Sequence, residues 1–282
     1  MATTLQTYIT ECRRLLYDAS GTFWSDTELT DYINEARART VVDTSCLRGI
    51  ASITLNVVSA TGTGDGSTGI ITNVSPTPDQ SWIGGALIGT GLAGIASTSP
   101  IVQQVNGSDI TVSGVATAGA VSFTYYQEAY PFSDITTSTG EPITSVLNIT
   151  AVWGNNRYAL ERRPWTQYNA LMRSYVQFQQ RPAVWSLQGQ DRVWIGPVVD
   201  QEYVTEWDCV VQPPVLSALT DVDTIAYPYT SPVKFYACYL AQLQQQAPDK
   251  AAQFKEMYRQ DAAHAVAGNL VRTIPNVYNG LR

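Results

Sequence analysis

Nucleophilic catalysis at a hydroxyl or thiol needs a base beside it, and histidine is the usual one. The chain has a single histidine, His264. It falls on a polar, Ala-rich helix face, where a surface or interface role accounts for it. The four cysteines, Cys12, Cys46, Cys209 and Cys238, are far apart and form no CxxC pair. Zinc ligation of the Cys/His type therefore has no signature. Cys12 and Cys238 fall on apolar helix faces, where a free thiol acts as a small hydrophobe. All four read as reduced and buried, as in a cytosol. Gly64-Asp65-Gly66-Ser67-Thr68-Gly69 spells GxGxxG. A dinucleotide site needs a helix directly after it, because the helix N-terminus holds the pyrophosphate. Here Ile70, Ile71 and Val74, then Pro76 and Pro78, read as strand and turn. No Gly-Lys-Ser/Thr follows a glycine loop anywhere.

Two acid sets remain, Asp221 with Asp223, and Glu202, Glu206 and Asp208. Paired carboxylates can bind a metal or move protons. Neither set has the glycine spacing of a calcium loop, and solvated strand edges and turns explain both. The residues thus point to no catalytic, cofactor-binding or metal site, and to a chain that is not an enzyme. Seven Trp and sixteen Tyr are many for 282 residues. Trp153, Trp165, Trp185, Trp194 and Trp207 all lie after residue 150. Such rings fill cores first, anchor subunit interfaces second, and line sugar grooves third.

These residues must be positioned by the elements around them. Leu5, Tyr8, Ile9, Cys12, Leu15 and Leu16 recur at helical spacing and predict a helix over 3–18, ended by Gly21. Ser25 and Glu28 form a capping-box pattern that starts a second helix, running to about Asp43. A short connection makes the pair antiparallel. From Ala51 to Gln127 there is no Lys or Arg. Short apolar runs there (Ile53–Val58, Gly69–Val74, Ile101–Val105, Ile110–Val112, Val121–Tyr126) are separated by turns, with Asn106-Gly107 as a hairpin signal. Val146–Val152 and Arg157–Leu160 read as paired strands, Pro164-Trp165-Thr166 opens a helix, and Val184–Leu187, Val193–Ile195 and Tyr203–Val211 read as strands. Ser231-Pro232 predicts an N-cap and a first helical proline. A further helix runs from about Asp249 to Ala267, with Gly268 as its stop. The expected fold is α+β: a helical bundle (N-terminal helix pair plus C-terminal helices) with a β-sheet region and an inserted small all-β domain. The expected division is 1–50, helical; 51–127, inserted β domain; 128–268, the rest of the core; and 269–282, an extended tail.

Composition narrows the role. Apolar residues make up 44% of the chain, enough for a packed core. Charged residues make up only 15%, and the net charge is −7. A thin charge supply suits surfaces held against neighbours. A negative balance disfavours sequence-specific nucleic-acid binding, because phosphate contacts dominate such affinity. The apolar stretches are short and interrupted by glycine, so no membrane span is expected. Glu11, Arg13 and Arg14 stand where the apolar run of a secretion signal would be.

Three segments carry a resemblance. Arg14-Leu15-Leu16-Tyr17-Asp18, Trp24-Ser25-Asp26-Thr27-Glu28-Leu29 and Tyr32-Ile33-Asn34-Glu35-Ala36-Arg37 resemble the opening of head-to-tail adaptor (head-completion) proteins of tailed phages. Pro164-Trp165-Thr166, Arg173 and Arg181-Pro182-Ala183-Val184-Trp185 resemble a larger phage subfamily of the same role. Ile83–Gly91 and Val105–Ser113 resemble a short β repeat of phage structural proteins. The resemblance implies a virion protein of the head–tail junction, made in the host cytoplasm. It implies a homo-oligomeric ring, usually a dodecamer, beneath the portal protein, docking tail, nozzle or fibre proteins below. DNA would pass through the lumen without sequence-specific binding. It also implies that the C-terminal segment reaches into the portal. Here that assigns portal binding to Leu270, Val271, Arg272, Ile274, Val277, Tyr278, Leu281 and Arg282. Other readings are a tail-tube or fibre-attachment subunit, or a glycan-binding or glycan-hydrolysing tail protein.

Overall fold

A computed structural model describes residues 3–94, 100–137, 140–175, 179–189 and 191–270. Helices α1 (Leu5–Leu16) and α2 (Asp26–Thr44) come first. They are followed by strands β1 (Arg48–Leu55), β2 (Val57–Gly64), β3 (Ile70–Ser75), β4 (Ala86–Thr90) and β5 (Leu92–Gly94). The chain continues through β6 (Val102–Asn106), β7 (Asp109–Val112), β8 (Gly114–Ala116) and β9 (Gly119–Tyr126). Strands β10 (Ala129–Pro131), β11 (Ile143–Trp153), β12 (Asn156–Ala159) and β13 (Glu161–Arg162) lead to α3 (Trp165–Tyr175). Strands β14 (Val184–Gln188), β15 (Arg192–Gly196) and β16 (Tyr203–Val211) precede α4 (Val233–Gln244) and α5 (Pro248–Leu270).

The expected helical bundle is overturned. Strand makes up 37% and helix 31% of the chain, so the protein is mostly β, and its largest sheet curls into a half-barrel of six strands. The helical periodicity is strong at the two chain ends, which led the sequence reading toward helix. The strands are short, and several, such as Val57–Gly64 (VVSATGTG), are rich in small residues. Small residues give strands weak intrinsic signals that pairing must complete.

The chain divides into two compact units: residues up to Arg48 together with those from Val210 onward, and Gly49–Cys209. The β unit is therefore larger than the 51–127 module, since it takes in 128–209 as well. Its connections to the rest of the chain fall on β1 and β16, which are neighbours in the sheet ordered β1-β16-β11-β12. Close by, the Val211 N–H donates to the Leu47 carbonyl at 3.1 Å.

In the helical unit, Leu5, Tyr8, Ile9, Cys12 and Leu16 of α1 meet Leu29, Ile33 and Ala36 of α2 and Val233, Ala237, Cys238 and Ala241 of α4 in one core. Helix α1 ends not at Gly21 but at Tyr17, which adopts the left-handed conformation at φ 57°. Gly21 also sits at positive φ, and a Cβ there would collide with the Arg13 guanidinium that lies across it. The capping box of α2 is formed in full: the Ser25 hydroxyl accepts from the Glu28 N–H, and the Glu28 carboxylate accepts from the Ser25 N–H at 2.9 Å. These bonds hold the Glu28 carboxyl below its ordinary pKa. Ser25→Ala should cost the helical unit about 1 kcal/mol, read as a lower urea midpoint at unchanged slope. The start of α4 differs from expectation. Pro232 occupies the N-cap position with no side-chain cap, and Ser231 instead closes a turn onto the Pro228 carbonyl. Helix α5 runs through Gly268 to Leu270, so Asn269 and Leu270 extend a helix instead of starting a tail. Val271, Arg272, Ile274, Val277, Tyr278, Leu281 and Arg282 lie outside the described residues.

In the β unit, β2 and β9 form the spine of the six-stranded sheet, ordered β4-β9-β2-β3-β7-β6, and pair from Val57↔Tyr126 to Gly64↔Gly119. Its inner face buries Ile71, Val74, Leu87, Ile110, Val112, Phe123 and Tyr125. The alternation of buried and exposed positions along β9 is the period-two pattern of a half-buried strand. β6 and β7 form the expected hairpin, with Asn106 opposite Asp109. Strands β10, β15, β14 and β13 make another four-stranded sheet, with α3 packed on β14 through Tyr168 and Val184.

Candidate functional site

The corner between α1 and α2 is built around a buried carboxylate. Asp18 is 2% exposed and accepts from the backbone amides of Thr22, Phe23 and Trp24 at 2.8, 3.2 and 3.1 Å. The Arg13 guanidinium reaches Asp18 at 3.3 Å, Asp26 at 2.7 Å and the Trp24 carbonyl at 3.0 Å. Desolvation pushes the Asp18 carboxyl up. The three amide donors and Arg13 outweigh it and hold the carboxyl below the ordinary range. The corner is thus fixed by charge-assisted bonds. It fixes Tyr17 and Phe23 in water, 95% and 72% exposed. Trp24, between them and the core, is buried.

A second network lies within the same unit. Arg37 is fully buried and donates from Nε and Nη2 to one oxygen of Asp223, at 3.1 and 2.8 Å. Its Nη1 donates to the Asn34 side chain at 3.0 Å and to the Pro214 carbonyl at 2.7 Å. The Tyr8 hydroxyl donates to the other Asp223 oxygen at 2.6 Å, and the Ile225 N–H donates to the first. Burial, then the Asp223 charge, push the Tyr8 phenol far above its ordinary pKa. The reading of Asp221 and Asp223 as a solvated pair is therefore corrected. Asp221 does cap a turn, accepting from the Ser217 and Ala218 amides. Asp223 is the buried counter-ion of α2.

This network ties the irregular segment between β16 and α4 to the helices. Asn34 exchanges bonds with Leu216, and the Leu5 and Gln6 amides donate to the Asp221 and Leu219 carbonyls. The segment in turn exposes Val215, Leu219, Val222 and Tyr227, with Val215 at 75% and Tyr227 at 82%. Single exposed apolar residues are ordinary. Here four of them fall on one irregular segment whose backbone is held by the buried Arg37–Asp223 network.

No family model and no curated protein matches the chain. The other residues singled out by type and spacing are placed as follows. Gly64-Asp65-Gly66-Ser67-Thr68-Gly69 is a turn between β2 and β3. Asp65 accepts from the Thr68 hydroxyl and from the Thr68 and Ser67 amides, which lower its carboxyl to about 2. Gly64 is required by a close strand approach, since a Cβ there would strike the Thr117 carbonyl and Ala116. His264 is exposed on α5. Cys12, Cys209 and Cys238 are buried free thiols, whereas Cys46 is only half-buried. Burial lifts the Cys209 thiol to about 12. Glu206 of β16 pairs with Arg157 of β12 at 2.8 Å, reaching across the intervening β11. Trp185 and Trp207 are core residues, Trp165 and Trp194 are partly buried against each other, and Trp153 is half exposed beneath Arg181. Among the described residues no three His, Cys, Asp or Glu side chains gather closely enough to hold a metal. No described helix is long and apolar enough to cross a membrane.

The sequence reading missed Asp18 and Arg37 as buried charges. A signal was available for Arg37 alone, which stands four residues after Ile33, where the apolar stripe of α2 continues; Asp18 lies beyond the end of α1.

Proposed function

We propose that this chain is a structural head-to-tail adaptor of a tailed phage, one subunit of a ring beneath the portal. The observation that carries the reading is the α1–α2 corner. The residues behind the resemblance there have jobs: Asp18 and Trp24 build the corner, Ser25 and Glu28 cap α2, and Arg37 ties α2 to Asp223. Their joint result is a rigid display of Tyr17 and Phe23. A left-handed tyrosine almost wholly in water is a conformation that non-glycine residues adopt at a cost of about 1–2 kcal/mol. That cost is offset if the ring docks on a neighbour. The exposed Val215, Leu219, Val222 and Tyr227 supply a further apolar surface for heterologous packing, the kind that closes a ring by rotation. The wall facing DNA would be neutral or acidic, in keeping with the net charge of −7, so that DNA slides without adhering.

Mass measurement of the protein with and without portal tests the reading. A ring that forms on portal is expected. Truncation after Leu270, which spares α5, should abolish portal association because it removes Val271, Arg272, Ile274, Val277, Tyr278, Leu281 and Arg282. Undiminished portal binding by the truncated chain would favour a fibre-attachment subunit instead.

A further inference from the structure

We infer that the groove between α2, α4 and α5 binds a short acidic segment of another protein, taking its carboxylates on Arg39, Lys255 and Arg259. The groove has a volume of about 410 Å³ and is lined by Arg39, Asp43, Tyr236, Lys255, Tyr258 and Arg259, all within the helical unit. Helical spacing explains who faces it. Arg39 and Asp43 stand one turn apart on α2. Lys255, Tyr258 and Arg259 share one face of α5 at i, i+3 and i+4, and Tyr236 comes from α4. This surface is separate from the α1–α2 corner, and the inference holds whether or not the chain forms a ring.

The groove is short of negative charge. Tyr258 is buried, packs edge-on against Tyr236 with ring centroids 5.0 Å apart, and donates its hydroxyl to Asp43 at 2.8 Å. The same Asp43 oxygen accepts from Arg39 Nε at 3.0 Å. One carboxylate oxygen thus fixes both an aromatic wall and a guanidinium, whose half-exposed outer edge stays open to a ligand. Lys255 Nζ lies 5.4 Å from the Tyr239 ring centroid. Among the described residues neither Lys255 nor Arg259 makes an ion pair. Three cations therefore line the groove against one carboxylate that is already shared, in a chain of net charge −7. Cations held this close repel one another, and a ligand carboxylate relieves that repulsion. Guanidinium groups fit carboxylates bidentately, and Tyr236 offers an aromatic wall to the uncharged part of the segment. The flanks favour a short acidic cluster over a long polyanion. Glu35, one turn before Arg39, and Glu256, next to Lys255, are exposed acids. One turn is about 5 Å of rise, inside the Debye length of about 8 Å. A nucleic-acid strand would therefore run onto like charge, whereas a peptide with neutral residues around its acids would not.

The test uses the full chain and the fluorescence anisotropy of a labelled peptide with a central Glu-Asp-Glu cluster between neutral residues. The same peptide with Gln-Asn-Gln at its centre and a labelled single-stranded oligonucleotide are the comparisons. Saturable binding of the acidic peptide is expected, weakening as salt is raised. Lys255→Glu and Arg259→Glu should each weaken it by about tenfold or more. Lys250→Glu makes the same charge change at an exposed α5 position outside the groove, and should leave binding as in the parent. All three positions are exposed, so the urea midpoint should stay close to that of the parent. If a reversal unfolds α5, Lys255→Gln and Arg259→Gln carry the same comparison with a smaller loss. The inference is overturned if the acidic peptide does not saturate, if the amide peptide binds as well, or if Lys250→Glu weakens binding as much as Arg259→Glu. It is overturned equally if the oligonucleotide binds more tightly than the peptide, which would make the groove a nucleic-acid site. None of these results bears on whether a ring forms on portal, so the two readings fail separately.

Discussion

Arg37→Ala should destabilise the helical unit by about 3–5 kcal/mol, the usual cost of stranding one member of a buried ion pair. Removing the guanidinium leaves Asp223 fully buried with Tyr8 and the Ile225 amide as its remaining donors. It also strips the Pro214 carbonyl and the Asn34 side chain of a donor. The loss would fall on the tie between α2 and the segment that carries Val215 and Tyr227. Equilibrium urea unfolding followed by helix circular dichroism checks it. The double variant Arg37→Met with Asp223→Leu should recover part of the loss, since replacing both partners by apolar groups removes the stranded charge. A single variant within 1 kcal/mol of the parent would show that water reaches Asp223, contrary to its burial.

Glu128 should make the β unit less stable as pH rises from 5 to 8, the opposite of the usual trend for a carboxylate. It lies between β9 and β10, is 7% exposed, and one of its oxygens has no partner. Burial alone raises its carboxyl from the ordinary 4.5 to about 8. The sign follows from proton binding. Between those values the folded state holds a proton that the unfolded chain has released. The stability gained from a neutral Glu128 is therefore complete below the unfolded pKa and is lost as pH climbs through the folded one. At about 1.4 kcal/mol per unit the full swing is a few kcal/mol. Glu128→Gln, which cannot ionise, should flatten this slope in chemical denaturation followed by tryptophan fluorescence. An equal slope in the variant would assign the pH dependence elsewhere.

Much of the fold was legible where one period ran long enough. The stripe from Leu5 to Leu16 and the Ser25–Glu28 box placed α1 and α2 within a few residues, and Asn106-Gly107 located the β6–β7 hairpin. The balance between helix and strand was not legible. β2 (VVSATGTG), β4 (ALIGT) and β8 (GVA) dilute their branched residues with Gly and Ala, and pairing with β9, β3 or β5 completes them. Glu161–Arg162 is too short for any periodicity, yet it pairs in parallel with β14. The exposed aromatic residues were half legible. Composition pointed to surfaces short of charge, but whether Tyr17 and Phe23 face water depends on Asp18, and Asp18 draws its partners from the backbone. Backbone donors leave no trace in residue type. Asp223 was hidden for a related reason: its partner Arg37 is 186 positions away.

The adjacency of β1 and β16 has an evolutionary consequence. Both passages out of the helical unit fall on strands that lie side by side, with Leu47 and Val211 hydrogen-bonded across the gap. Exchanging the whole of Gly49–Cys209 needs only two cuts at one spot, and the two stumps are near enough for a tight loop to bridge. A lineage could trade one decorative module for another in a single recombination and keep the same helical chassis throughout.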